Sequence, residues 1–165
     1  MMIWGDIPFW NISSLCCQIE HLRATIFGIR GTFVGWVDNS WTYVNTALNR
    51  LYVYGTSAQY LWDNTISGTT LTNIKNSFKT AYVWARVYVH GQNYTTTGAA
   101  YVYENGRGYE LASNSTTPNE GASDFGSRTV TLASLTSLRT AVYGRCNMNA
   151  GHGWVEGNIQ IRFDK

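Results

Sequence analysis

The sequence predicts a mainly β protein: an antiparallel β-sandwich of jelly-roll-like form, preceded by an N-terminal α-helical oligomerisation segment. Three observations lead there. Apolar residues recur at alternating steps of three and four over residues 12–29. The period changes to two from about residue 51. Six to eight short candidate strands then follow, separated by loops rich in Gly, Asn and Ser. The expected organisation is residues 1–50 as an attachment and coiled-coil segment and 51–165 as a β-sandwich head.

The first element rests on Ile12, Leu15, Ile19, Leu22, Ile26 and Ile29, which fall at the a and d positions of a heptad. Asn11 suits the N-cap, where a side-chain oxygen accepts from the exposed backbone donors of the first turn. Gly28, Gly31 and Gly35 favour an end near Ile29, because each glycine costs about 1 kcal/mol in a helix interior. Such a helix either packs on its own domain or forms a bundle between subunits. With Ile at a and Leu at d, the seam itself favours two strands.

The strands follow in order. Residues 51–54 and 59–62 are short candidates. Residues 81–90 alternate strictly, with Ala81, Val83, Ala85, Val87 and Val89 on one face and Tyr82, Trp84, Arg86, Tyr88 and His90 on the other. Residues 99–112 contain Asn105-Gly106, the dipeptide suited to the positive φ angles of a two-residue type I′ hairpin. That turn pairs Glu104 with Arg107, Val102 with Tyr109 and Ala100 with Leu111, and leaves Tyr101, Tyr103 and Glu110 on the opposite face. Residues 127–133, 140–148 and 154–163 complete the set. In the last, Val155, Ile159, Ile161 and Phe163 oppose Trp154, Glu156, Asn158, Gln160 and Arg162. Many short strands between turn-forming loops argue for a sandwich or jelly roll.

Composition narrows the function. Charged residues make up 13% of the chain and aromatic residues 15%, with 7 Trp and 11 Tyr, so buried ring surface can offset the entropy of ordering. The net charge of +2 is scattered, and a nucleic-acid partner would need a basic stripe. Glu20, His21, Arg23 and Arg30 interrupt the most apolar region, which argues against membrane insertion, and no secretory signal pattern is visible. Cys16, Cys17 and Cys146 cannot build a disulfide framework, which suits assembly in a reducing cytoplasm.

Catalysis finds no support. A glycosidase needs two carboxylates facing across a cleft, and the hairpin register sets Glu104 and Glu110 on opposite faces. Glu104 is expected to pair with Arg107, while Glu120 and Asp124 are expected in a solvated loop. His21, His90 and His152 lack the spacing of metal ligands or of a base beside a nucleophile. The expectation is a non-enzyme with no cofactor and no metal.

Two short phrases resemble a known family. Ile3-Trp4-Gly5-Asp6-Ile7 resembles the motif that opens linker segments in bacteriophage tail fibres and related baseplate proteins, and Gln18-Ile19-Glu20-His21-Leu22 resembles the helix that follows it. Residues 37–40 and Val44-Asn45-Thr46-Ala47-Leu48-Asn49 resemble a further fibre phrase, in which a helix follows a loop. This resemblance covers about the first fifty residues. It implies a virion-located, homotrimeric host-attachment protein whose N-terminal end joins other virion proteins. Its head would bind a glycan or protein on the host surface. Residues 153–161 also resemble the last strand of galactose-binding-like jelly rolls.

The ligand-binding candidates are Trp84, Arg86, Tyr88, Tyr101, Tyr103, His152 and Trp154. Saccharide faces pack on Trp and Tyr rings while amide, carboxylate and guanidinium groups orient hydroxyls. Loops at residues 92–98, 113–126 and 147–153, with His152 in the last, carry suitable polar and aromatic residues. The competing readings are that the aromatic stripes are core, that they join subunits in a structural decoration protein, or that the head is a carbohydrate-binding module.

Overall fold

The computed structural model describes residues 34–37 and 40–165. These form nine strands, β1 (Val34–Val37), β2 (Ser40–Tyr54), β3 (Gln59–Ser67), β4 (Thr80–Gly91), β5 (Thr96–Glu104), β6 (Arg107–Thr116), β7 (Gly121–Thr131), β8 (Ser137–Cys146) and β9 (His152–Asp164). One helix, α1 (Gly68–Ser77), joins β3 to β4. A five-stranded sheet in the order β1-β2-β9-β4-β7 faces a four-stranded sheet in the order β3-β8-β5-β6.

The pairing is nested. β5 pairs with β6, β4 with β7, β3 with β8 and β2 with β9, all antiparallel. The chain from Ser40 is therefore one long hairpin whose tip is Asn105-Gly106. Folding that hairpin across itself adds the pairs β4·β9 and β5·β8 and produces two sheets. That is the jelly roll, which viral capsid and lectin domains share.

Alternation explains the core. Ala81, Val83, Ala85, Val87 and Val89 are all 0% exposed, as are Val155, Ile161 and Phe163 on the neighbouring strand. Five inward β4 side chains without a polar atom leave the sheet no second way to face, since a one-residue slip would carry all of them into water. At the β3–β4 end, α1 buries Leu71 and Ile74, and the Phe78 ring lies 5.9 Å from that of Phe163. Thr and Asn dominate the rest of α1, so burial rather than helix propensity holds it.

Several expectations need correction. The fibre-like phrase at residues 44–49 lies within strand β2, paired with β9, and is not a helix. Residues 113–126 are the end of β6, a turn at 117–120 and the first half of β7. His152 opens β9 and is not on a flexible loop. The hairpin has the expected register at Glu104↔Arg107 and Val102↔Tyr109, but a bulge then pairs Ala100 with Ala112. Glu104 forms its ion pair with Arg128, at 2.5 Å, rather than with Arg107. The proposed seam of Ile12, Leu15, Ile19, Leu22, Ile26 and Ile29 lies outside the described residues. Among the described residues no helix is long and apolar enough to cross a membrane.

Candidate functional site

The structure divides the predicted site residues between two opposite surfaces. Trp84, Arg86, Tyr88, His152 and Trp154 project from the outer face of the five-stranded sheet, whereas Tyr101 and Tyr103 project from the outer face of the four-stranded one.

On the first face, Arg86 is central. Alternation along β4 sets Trp84 on one side of it and Tyr88 on the other. Across the ladders its partners are Asn158 on β9 and Phe125 on β7. One row of side chains thus runs Ala47, Asn158, Arg86, Phe125, and spans three strand spacings, or about 14 Å. Phe125 is 68% exposed on the edge strand. Beside this row lies a shallow depression of about 280 Å3, lined by Ala47, Leu48, Arg86, Tyr88, Glu156 and Asn158. The depression sits where β2 bulges: Leu48 pairs with Gly157 and Leu51 with Val155, so Asn49 and Arg50 together oppose Glu156.

The bulge has an electrostatic effect. It delivers Arg50 to an ion pair with Glu156, and the same guanidinium lies 4.7 Å from the centre of the Trp154 ring. Hydrogen bonding to Tyr52, then to Glu156, holds the Arg50 pKa above its ordinary value. Trp154 is further stacked on His90, with ring centres 3.8 Å apart and planes at 4°. His90 Nδ1 and Trp154 Nε1 are buried in this stack without a hydrogen-bond partner. Trp154 is therefore already engaged by His90 and Arg50. Its row lies four residues along β4 from Arg86, about 14 Å away. The open rings at that end are Tyr52, 52% exposed, and Tyr54, 64% exposed and stacked on His152.

The second face is a closed network. Tyr101 stacks on Tyr143 at 6.0 Å and lies 5.9 Å from Tyr103, while Tyr60 lies 5.9 Å from Tyr143. Arg139 sits over Tyr103 and Tyr60 and makes two hydrogen bonds to Asp63, at 2.7 and 2.9 Å. The Tyr101 hydroxyl donates to Glu110 at 2.7 Å, which raises its pKa above the ordinary tyrosine value, with burial adding to the effect. Burial likewise raises that of Tyr103.

The loops at the far end of the sandwich also meet. Asn93 donates to the Ala150 carbonyl and accepts from the His152 N–H, while Thr56 donates to Asn149. Gly91 N–H reaches the Glu120 carbonyl, so the turn at 117–120 joins the same cluster.

Sequence reasoning missed Phe125, Asn158 and the Arg50–Glu156 pair as parts of one site. Asn158 and Glu156 were legible as outward residues of the last strand. Nothing in one sequence shows that β9 lies between β2 and β4.

No family model and no curated protein sequence matches the chain. At the level of class, the resemblance found is to solved structures. One is the structure of infectious bursal disease virus Gx strain, with 11% identity, 81% of this chain covered and a TM-score of 0.48. The match spans 38% of the length of that virus chain. The cryo-EM structure of Broad Bean Stain Virus has 11% identity, with 82% of this chain and 91% of that chain covered and a TM-score of 0.32. Eiger TNF from S. frugiperda has 11% identity, with 73% and 94% covered and a TM-score of 0.35.

Proposed function

We propose that this protein is a non-enzymatic, oligomeric attachment protein of a phage virion, whose head binds host-surface saccharide on the outer face of the five-stranded sheet. The observation that carries the reading is the grouping of Arg86 with Trp84, Tyr88, Phe125 and Asn158 beside a shallow depression. Rings supply flat apolar contact, and amide and guanidinium groups supply directional hydrogen bonds, the combination suited to sugars. The tail-fibre resemblance of residues 3–7 supports the virion setting, the heptad positions Ile12 to Ile29 support self-association, and the choice of a trimer over a dimer rests on that resemblance alone, since the seam itself favours two strands. A binding role also suits the state of the acids. Asp63, Glu104, Glu156 and Asp164 are ion-paired to arginines, and Glu110, Glu120 and Asp124 accept hydrogen bonds.

The test is binding of the purified, assembled protein to host cells and to immobilised host polysaccharide. Trp84→Ala with Phe125→Ala should lower binding at least ten-fold while the thermal transition and the solution mass stay unchanged. A second reading is a structural decoration protein in which this face joins subunits. It is favoured by the exposure of Tyr52 and Tyr54 at one end of this face and of Phe125 on its edge strand, since exposed apolar groups on one face mark interfaces. Loss of assembly in the double variant, with no polysaccharide bound by the parent protein, would establish that second reading instead.

A further inference from the structure

We propose that the saccharide is an acidic one and that Arg86 holds its carboxylate. This rests on the glycan-binding reading of the same face and adds the charge of the ligand.

The argument is one of charge pairing. The outer face of the five-stranded sheet carries three arginines near its surface. Arg50 is committed to Glu156, and Arg162 is committed to Asp164 by hydrogen bonds of 2.9 and 3.2 Å. Arg86 is exposed and has neither an acidic partner nor a ring beneath it among the described residues, although Trp84, Tyr88 and Phe125 surround its position. Its cross-strand partners are an amide and a phenyl ring, neither of which carries a negative charge. Glu156, the acid in the lining of the depression, is neutralised by Arg50. The depression therefore offers one uncompensated cation, ringed by groups suited to a sugar ring.

A guanidinium presents planar paired donors that match a carboxylate, whereas a neutral sugar would leave that fork without an equal partner. A single ion pair at an exposed site is weak. A polysaccharide with a carboxylate on each repeat, met by several copies of the head, multiplies it. Asn158 lies on one side of Arg86 to orient hydroxyls, and Phe125 on the other to support the adjoining ring. The side-chain row of about 14 Å has the length of two to three sugar units at roughly 5 Å each.

The experiment uses the intact chain and measures affinity for uronate polymers (polygalacturonate, alginate and hyaluronate), each beside its carboxyl-reduced form, with dextran sulfate as a charge control. The expected result is at least ten-fold tighter binding to one uronate polymer than to its reduced form. Arg86→Gln should abolish that preference while leaving residual binding to the reduced polymer. Arg86→Lys, which keeps the charge but loses the fork, should retain only a small part of it. Equal affinity for acidic and reduced polymers overturns the inference and leaves the saccharide reading standing, as does a preference that survives Arg86→Gln. Dextran sulfate bound as tightly as the uronates also overturns it, because charge alone would then suffice. No binding to any polysaccharide overturns this inference and the reading beneath it together.

Discussion

Asn105 takes a φ of 52° and Gly106 one of 85°, the left-handed pair that a type I′ turn requires and that Asn and Gly tolerate best. The Asn105 side chain does more than permit the turn. Its oxygen accepts from the backbone N–H groups of Thr136 and Ser137 and from the Thr136 hydroxyl, and its amide donates to the Ser134 carbonyl. Asn105→Gly keeps the backbone angles and removes that network, so urea unfolding should show a loss of about 1–2 kcal/mol. Tyr101 gives a pH test. Its pKa is raised in the folded state, so the folded state holds the proton more tightly than the unfolded chain does. That contribution is complete below the unfolded value near 10 and is lost as pH rises through the folded one. The melting temperature should therefore fall above pH 10, and Tyr101→Phe should flatten the fall. At this scale the sequence showed the turn residue but not its partners. Asn105-Gly106 is a local signal, whereas residues 134–137 reach it only through the paired ladders. Glu104 misled for the same reason: Arg107 stands across the turn, but Arg128 arrives from another sheet and lies over the Tyr109 ring at 3.7 Å.

Strand β4 was readable because it lies between β9 and β7 with one dry face, which forces a pure two-residue alternation. Strand β7 was readable only in its second half, within residues 127–133, and the margin of its first half explains why. From Asp124 to Arg128 its inward positions meet the neighbouring sheet's backbone and polar groups, and only Val130 joins the apolar core. Asp124 accepts from the Ser113 N–H at 3.0 Å, Gly126 faces the Leu111 carbonyl, and Arg128 reaches Glu104. With polar or small residues on both faces, a strand reads as a loop, and Phe125 was lost with it. The close approach gives a prediction. A Cβ on residue 126 would stand 1.9 Å from the Leu111 oxygen, which is backbone and cannot swing aside. Gly126→Ala should therefore cost about 1–3 kcal/mol in chemical denaturation, the range for overpacking. Helix α1 escaped notice because only Leu71 and Ile74 mark its buried side.

Across the whole molecule, sequence periodicity was enough to reach a sandwich, because alternation reports which face of each strand is dry. Strand order was out of reach, since it depends on pairings as distant as β2 with β9. The candidate site inherited that limit: Trp84, Arg86 and Tyr88 were visible as a stripe, but their neighbours Asn158 and Phe125 were placed only when β9 and β7 took their positions beside β4. The oligomeric reading is tested at this scale. Light scattering should find an oligomer for the intact chain and a folded monomer once residues 1–33 are removed, a cut that spares β1 and β2. A monomer in both cases would leave the head solitary.

The nesting of β2 against β9 also decides how the head carries mechanical load. Ser40 pairs with Asp164 at one end of a ladder that continues to Tyr54 and His152. Tension applied between those two paired ends would peel the ladder open one bond at a time. Tension applied at Ser40 and resisted at Arg86, in the middle of the sheet, runs along β2 and puts the bonds to β9 in shear, to be broken together because they lie across the pull. A particle tethered through the chain before β2 and holding its ligand on the Arg86 row would pull in the second direction, the one in which this sheet is strong.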